Sequence, residues 1–394
     1  MSRQTLTVRI KPGILKWVLE TSGWEMEELE KKLKLNKESM RKLESKEPVI
    51  ELKKLEKLSE CVKRPLAVFF MDAPPTESEL TDYRKIAGLE YEKFSKKTFL
   101  AMKESRYLQS IAKELLQFQN LDLTPKVENV TVTDDPELIA LTERKRLGFE
   151  SEEFLLSADA KKSPRNFFNL LREKIESLNI FVFQVNMPLI EARGFTLTDG
   201  LPRVIIVNSS DSIKPKIFTL LHEYGHIILK KEGICLASSE LNHSTSKNET
   251  QNIESWCNTF AASVLMPKSE FLYQVTKWEQ RLENPKEIIT KLSNQFNASK
   301  QSVAVRISIL NPDSSLANFY KNSFEIIKKE DLPKTSKKKG KGGPDQINSC
   351  ISKKGRKFIS LVLNSKEKDF VTYNDVMSYL NLNLKYLDRL QEKL

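Results

Sequence analysis

The sequence predicts a mostly helical protein with one small α+β domain. Apolar residues recur at helical spacing through most of the chain, whereas the β-branched and aromatic runs typical of strands lie between residues 180 and 208. A length of 394 residues, of which 39% are hydrophobic, is enough for two or three domains with packed cores. The predicted divisions are 1–75 for a helix-turn-helix domain, 76–163 for a helical connector, 164–267 for the α+β domain, 268–330 for a helical, helix-turn-helix-like extension, 331–350 for a basic linker and 351–394 for a C-terminal helical module.

The composition bounds the class of protein. No apolar run approaches the roughly 20 residues that a spanning helix needs, and the N-terminus lacks an apolar signal segment, so we expect neither a membrane protein nor a secreted one. The cysteines stand singly at Cys61, Cys235, Cys257 and Cys350, which favours a reducing cytoplasm. A net charge of +11 favours contact with polyanions, although it also serves solubility alone.

Residues 13–63 predict a bundle of four short helices, the third of which runs from Lys37 to Ser45 with Asn36 as its cap. A short helix, a turn and a second short helix form the layout of a helix-turn-helix, whose second helix enters the major groove of DNA. The acidic run from Glu25 to Glu30 would repel phosphate, so a docking role stays open beside DNA binding. The candidate DNA-contacting residues are Lys37, Ser39, Arg41 and Lys42.

The helices predicted between Tyr91 and Phe118 form the connector, and residues 119–163 suggest no role. A helix is predicted from Phe167 to Leu178, followed by strands at Ile180–Val185, Gly194–Leu197 and Arg203–Asn208, the last two forming a hairpin. The strand Arg203–Asn208 lies either at the edge of a cleft, where an extended peptide can pair with it, or in the interior of the sheet.

The next predicted helix contains the pattern His-Glu-x-x-His. His222 and His226 lie four residues apart, so both imidazoles share one helix face and can reach a single ion. Glu223 is offset by about 100° and can accept a proton from a water activated by that ion. Two histidines at this spacing on an ordinary core helix are the alternative interpretation. Asp211 or Ser212 is expected to cap this helix, Pro215 to lie in its first turn and Gly233 to end it.

Zinc needs a third protein ligand if one position is to stay open for water. A second helix, from Asn252 to the proline at 267, carries Glu254 on its first turns and Asn258 one turn later on the same side. We therefore predict Glu254 as the third ligand and Asn258 as a group that supports a ligand. A solvated helix carboxylate is the alternative for Glu254.

Three other side chains near this motif have a simpler interpretation. Cys257 and Tyr224 are expected to pack in the core. His243, in the polar loop between the two helices, is either an exposed histidine without a role or a group that stabilises an oxyanion.

Two motifs with a characteristic separation lie within residues 165–267. They are Phe218-Thr219-Leu220-Leu221-His222-Glu223-Tyr224-Gly225-His226 and Glu254-x-x-x-Asn258-x-Phe260-Ala261-Ala262, the latter followed by Leu265-Met266-Pro267. Together they resemble the ImmA/IrrE family of metallopeptidases. The resemblance implies a small zincin-like fold, one zinc held by His222, His226 and Glu254, Glu223 as the base, and cleavage of a DNA-binding repressor. Residues 1–75 similarly resemble the repressor-type helix-turn-helix of longer family members.

Residues 288–310 again predict helix, turn and helix, with Ser299 as a cap, and either DNA contact or packing fits this segment. The resemblance continues through it. The Lys- and Gly-rich stretch 334–343 predicts a mobile tether, with a nonspecific phosphate contact as the second interpretation. Residues 352–394 are interpreted as a partner or dimer surface.

The leading hypothesis is a cytoplasmic zinc endopeptidase of this type, attached to a helix-turn-helix, that cleaves a protein substrate such as a repressor. Manganese or iron also suits two histidines and a glutamate. The first alternative is a DNA-binding transcriptional regulator with a structural metal site. The second is the peptidase component of a toxin-antitoxin or mobile-element module, which would act on an antitoxin-like partner encoded nearby.

Overall fold

The computed structural model of the chain describes residues 6–22, 24, 26–43, 45, 48–62, 66–73, 95–149, 163–230, 234–235, 249–331 and 345–394. Contacts divide the chain into two compact units, Met1–Glu104 and Ser105–Leu394. Helices dominate the described residues and the strands form small sheets, so the predicted fold class is confirmed. None of the helices in these ranges combines the length and the apolar character that a bilayer crossing requires.

The first unit contains four short helices close to the predicted positions, with a two-stranded antiparallel pairing that was not predicted. Its core forms where apolar residues recur at helical spacing, as at Ile14 and Val18 or Leu55 and Leu58. The elements are β1 (Thr7–Arg9), α1 (Pro12–Ser22), α2 (Met26–Leu33), α3 (Lys37–Leu43), β2 (Val49–Glu51), α4 (Leu52–Val62) and a 3-10 turn at Leu66–Phe70.

The second unit is built on a four-stranded sheet, and its strands are β3 (Ile180–Val185), β4 (Gly194–Leu197), β5 (Arg203–Asn208) and β6 (Ile234–Cys235). The order in the sheet is β3-β5-β4-β6, with β3 parallel to β5 and the other pairs antiparallel. The predicted hairpin of β4 and β5 is confirmed. Because β5 lies between β3 and β4, the interpretation of Arg203–Asn208 as a cleft edge is wrong, and the interior position is correct.

Helices cover both faces of this sheet. Val182 and Ile205 share one core with the helices before β3 and after β5, while Phe181 and Phe183 on the other face pack edge-on against Phe358. The helices are α5 (Lys96–Phe118), which belongs to this unit from Ser105 onward, α6 (Pro136–Arg146), α7 (Pro164–Ser177), α8 (Ile213–Ile228), α9 (Glu249–Leu265), α10 (Lys268–Glu279), α11 (Pro285–Gln295), α12 (Lys300–Leu310), α13 (Ser315–Asp331), α14 (Gln346–Lys354), α15 (Arg356–Glu367), α16 (Tyr373–Leu380), a 3-10 turn at Leu384–Tyr386 and α17 (Leu387–Gln391).

The C-terminal helices therefore use an apolar surface within the chain itself. Phe358 of α15 lies 5.3 Å from the ring of Phe183, and Gln184 of β3 donates a 2.8 Å hydrogen bond to the carbonyl of Ser352. The face that carries Phe358 is therefore covered within the chain, while a partner or dimer surface on the rest of residues 352–394 stays a prediction.

Residues 119–149, for which the sequence suggested no role, support the two helices that follow the sheet. The indole of Trp256 in α9 donates to the carbonyl of Asp134 at 2.8 Å, and the hydroxyl of Tyr224 in α8 donates to Glu143 of α6 at 2.5 Å. These bonds hold α6 against both helices.

The second helix-turn-helix-like segment, α11 and α12, is packed inside the unit. Arg306 of α12 is 1% exposed and makes a two-pronged ion pair with Glu137. The first amides of α12, at Lys300 and Gln301, donate to the carboxylate of Asp331. The packing interpretation of this segment is therefore favoured over DNA contact.

Candidate metal centre

The local sequence explains where α8 begins and ends. Ser212 occupies the N-cap position with extended backbone, but its side chain makes no capping hydrogen bond. Asp211 instead accepts the Ser212 amide at 2.7 Å. Pro215 lies in the first turn, as predicted, where its missing amide costs nothing. The helix ends at Ile228, and the predicted stop at Gly233 lies outside the described residues.

Three predicted ligands from α8 and α9 converge. The Nε2 atoms of His222 and His226 are 3.2 Å apart. The carboxylate of Glu254 lies 3.2 Å from the first of these nitrogens and 3.3 Å from the second. Both histidines are fully buried, and the Glu254 side chain is 21% exposed, so the cluster opens to solvent on the side of the carboxylate.

Asn258 fixes the protonation of the first histidine. Its Oδ1 lies 2.9 Å from Nδ1 of His222. An amide oxygen only accepts hydrogen bonds, so Nδ1 carries a proton, and in the neutral ring Nε2 then presents a lone pair to the cluster. This is the arrangement by which a supporting group orients a metal-binding imidazole.

Hydrogen bonds alone cannot satisfy this cluster when both imidazoles are neutral, the form in which they bind a metal. With its proton on Nδ1, His222 offers only an acceptor to the Glu254 carboxylate, which is also an acceptor. A proton on Nε2 of His226 can be donated to His222 or to Glu254. The contact between His222 and Glu254 still has no proton to share. A cation at the centre removes this mismatch.

The separations also fit the metal that the sequence suggested. A tetrahedral zinc with ligand bonds of about 2.0–2.1 Å places its ligands about 3.3 Å apart. The measured separations of 3.2, 3.2 and 3.3 Å agree with that spacing. Burial lowers the pKa of His226, which favours the neutral ring that a metal requires. The residues present therefore fit zinc.

Glu223 is held against the sheet rather than among the three ligands. It is fully buried, and a β-carbon on Gly194 of β4 would lie 3.2 Å from its Oε1. The same β-carbon would come within 2.8 Å of the Ile206 carbonyl, so only glycine fits at this position. The carboxylate thus rests beside the backbone of β4, next to the ligands in sequence and offset from them around the helix.

The remaining predicted residues fall into three groups. Tyr224 and Cys257 are fully buried and pack in the core, as interpreted. His243 lies outside the described residues. Of the DNA-binding candidates on α3, Lys37, Arg41 and Lys42 are exposed, whereas Ser39 is half-buried and its amide donates to the Asn36 cap at 2.8 Å. The ammonium of Lys42 also contacts Glu38 at 2.6 Å, which offsets its charge.

Sequence reasoning missed Gly194 and Glu143. Gly194 stands at the start of a predicted strand, where an isolated glycine signals a close backbone approach. No signal in the sequence connects Glu143 to Tyr224, because the two lie far apart along the chain.

One comparison with known proteins gives a match. The family model Peptidase_M78, described as an IrrE N-terminal-like domain, matches residues 175–308 and so includes the two histidines, Glu223, Glu254 and Asn258. No curated protein and no solved structure matches the chain.

Proposed function

We propose that the chain is a zinc-dependent endopeptidase of the ImmA/IrrE type acting on a protein substrate, because residues 175–308 match the model of the IrrE N-terminal-like domain. The observation that carries this proposal is the convergence of His222, His226 and Glu254 at separations that suit a tetrahedral ion. We propose the cytoplasm as its location, since the isolated cysteines suit a reducing compartment.

Each residue of the site has a separate role in peptide hydrolysis. His222, His226 and Glu254 would hold the zinc, which when bound polarises the scissile carbonyl and lowers the pKa of water. Asn258 keeps the lone pair of His222 directed at the cluster through the proton on Nδ1. Glu223 accepts a proton from the attacking water and returns it to the leaving amine.

The position of Glu223 supports its role as the base. Its carboxylate is buried beside β4 at Gly194, and Glu223 follows the ligand His222 directly on α8. A metal site with only a structural role has no use for a carboxylate placed beside its ligands.

We propose a transcriptional repressor as the substrate, with DNA binding by the first unit bringing the peptidase to it. Exposed basic side chains on α3 and the cap at Asn36 support a second helix able to enter a major groove. An antitoxin-like regulator encoded beside this gene is the substrate to test first.

The decisive variant is Glu223→Gln. We expect one zinc per chain in both proteins, with cleavage of the neighbouring regulator at least 100-fold slower in the variant. Metal content and the fragments of the regulator measure the two effects. Glu279→Gln, an exposed position on α10, is the matched control and should cleave at the normal rate. Full cleavage by Glu223→Gln would contradict the assignment of the base, and a zinc-loaded chain without activity would favour a structural site.

DNA binding has its own test in Arg41→Ala. Loss of one phosphate or base contact should weaken binding to a duplex by roughly 1–3 kcal/mol, measured by fluorescence anisotropy at low salt. Lys268→Ala, an exposed lysine of α10, is the control. If the unaltered protein binds no duplex at low salt, the first unit has a different partner.

A further inference from the structure

Helices α8 and α9 approach each other closely at a single glycine. A β-carbon on Gly225 would lie 3.2 Å from Sγ of Cys257, 3.3 Å from a ring carbon of Phe260 and 3.4 Å from Cβ of Cys257. The first two distances are shorter than ordinary van der Waals contacts, so a β-carbon at 225 would require the Cys257 and Phe260 side chains on α9 to shift by a few tenths of an ångström.

This close contact involves residues that lie between the ligands in sequence. Gly225 directly precedes His226 and follows His222 by three residues. On the facing helix, Cys257 lies between Glu254 and Asn258, the residues whose side chains reach the histidines. The distance between the helices at Gly225 therefore sets how far the Glu254 and Asn258 side chains must extend to reach the histidines.

We propose that Gly225 is a positioning residue for the metal centre: its missing side chain sets the distance between α8 and α9 at which Glu254 completes the ligand set. The inference rests on the proposed function, since it concerns the ion that this set would hold. Gly225 touches neither substrate nor metal and acts through Cys257, Glu254 and Asn258.

The far side of α9 limits how an added methyl group can be accommodated. Trp256 donates to the Asp134 carbonyl at 2.8 Å, and Arg144 of α6 donates to the carbonyl of Val264 near the end of α9. Within α9, Trp256 stacks on Phe260, with 5.3 Å between ring centres, and so restricts how far the Phe260 ring can move. With α9 held in this way, a methyl group at 225 has to be accommodated at the face of α9 that meets α8.

A purely structural role predicts a different outcome. Alanine is a much better helix former than glycine, so Gly225→Ala favours α8 itself. A glycine that only shapes α8 should therefore leave zinc affinity unchanged, whereas a glycine that acts by spacing should lose affinity in a way that depends on the Cys257 side chain.

The test measures zinc affinity of the full chain by competition with a chromophoric chelator, together with the thermal unfolding temperature of the metal-free protein. We expect Gly225→Ala to weaken zinc binding about tenfold, in line with the loss of other supporting groups around metal sites. The double variant Gly225→Ala with Cys257→Ala removes the closest contact and should recover most of that loss. Gly13→Ala is the control, because nothing lies within 4 Å of a β-carbon at that helical position, and its zinc affinity should be unchanged.

The possible failures are distinguishable. If the unaltered chain binds no zinc, the proposed function is wrong. If it binds zinc and Gly225→Ala binds equally well, the proposed function stands and the role of Gly225 is wrong. A weakened affinity that the Cys257→Ala change does not recover, accompanied by a lower unfolding temperature, would show a general packing defect and overturn the inference.

Discussion

Two buried polar clusters in the second unit differ in how their charges are matched. Around Arg172, 4% exposed, the Nε atom donates to Glu176 at 3.1 Å and Nη1 donates to the Ser352 carbonyl at 2.6 Å, while Nη2 reaches the carbonyl of Val182. Around His222, in contrast, a neutral imidazole with its proton on Nδ1 turns a lone pair toward the Glu254 carboxylate at 3.2 Å. Each guanidinium nitrogen meets an acceptor in the first cluster, whereas two acceptors meet in the second when the ring is neutral.

This difference separates a structural site from a site for a ligand. A buried pair with full hydrogen bonding holds elements together, and here it joins α7, β3 and the C-terminal helices. A buried set of converging lone pairs raises the energy of the fold unless something positive binds there. The same substitution, glutamate to glutamine, should therefore have opposite effects in the two clusters.

The largest effect is expected at Glu176. Glu176→Gln leaves the guanidinium of Arg172 buried without its counter-charge, which should lower the free energy of unfolding by about 3 kcal/mol. Chemical denaturation of the metal-free protein measures this loss. A change below 1 kcal/mol would show that the carbonyl contacts alone stabilise buried Arg172. The contrast between a charge-matched cluster and the histidine cluster would then be wrong.

A smaller effect of opposite sign is expected at Glu254. The amide of Glu254→Gln can donate to Nε2 of His222, so the metal-free protein should gain about 1 kcal/mol of stability. The unaltered protein should in turn gain about 2.7 kcal/mol from zinc at 100 times its dissociation constant, and the variant should lose this gain. Denaturation with and without zinc gives both values. A metal-free variant that is less stable than the unaltered protein would show that the Glu254 carboxylate is already matched.

The part of this contrast that could be predicted from the sequence is the part set by local spacing. Four-residue separation places His222 and His226 on one helix face, and alternating β-branched residues locate β3 and β5. The partner of Glu143 and the contact of Phe358 with the sheet could not be predicted, because they depend on which distant segments meet. The interior position of β5 could not be predicted either, since the order of strands depends on the whole sheet.

Lys216 is a buried charge whose hydrogen-bond partners are neutral, so it is intermediate between the two clusters. Its substitution is expected to change stability least. Its ammonium donates to the Ser209 carbonyl at 2.9 Å and to Gln184 at 3.2 Å, so its hydrogen bonds are matched by neutral groups. Burial lowers the pKa of Lys216 from 10.5 to about 8, while Asp211 raises this pKa and Arg165 lowers it.

The sign of the pH dependence follows from proton uptake. Between pH 8 and 10.5 the unfolded chain keeps a proton that folded Lys216 has lost, so the free energy of unfolding should rise with pH across this window. Lys216→Met should flatten that rise, and Lys268→Met at an exposed position should not. Denaturation curves collected across the window measure the slope. An equal slope in Lys216→Met would show that other groups cause it.

The central claim is that His222, His226 and Glu254 bind one zinc ion. The most direct test is a crystal of the full chain grown with zinc, with diffraction recorded on both sides of the zinc absorption edge. We predict one anomalous peak about 2.0–2.2 Å from both Nε2 atoms and from a carboxylate oxygen of Glu254. Zinc bound elsewhere, or a Glu254 side chain turned away from the two imidazoles, would contradict the assignment.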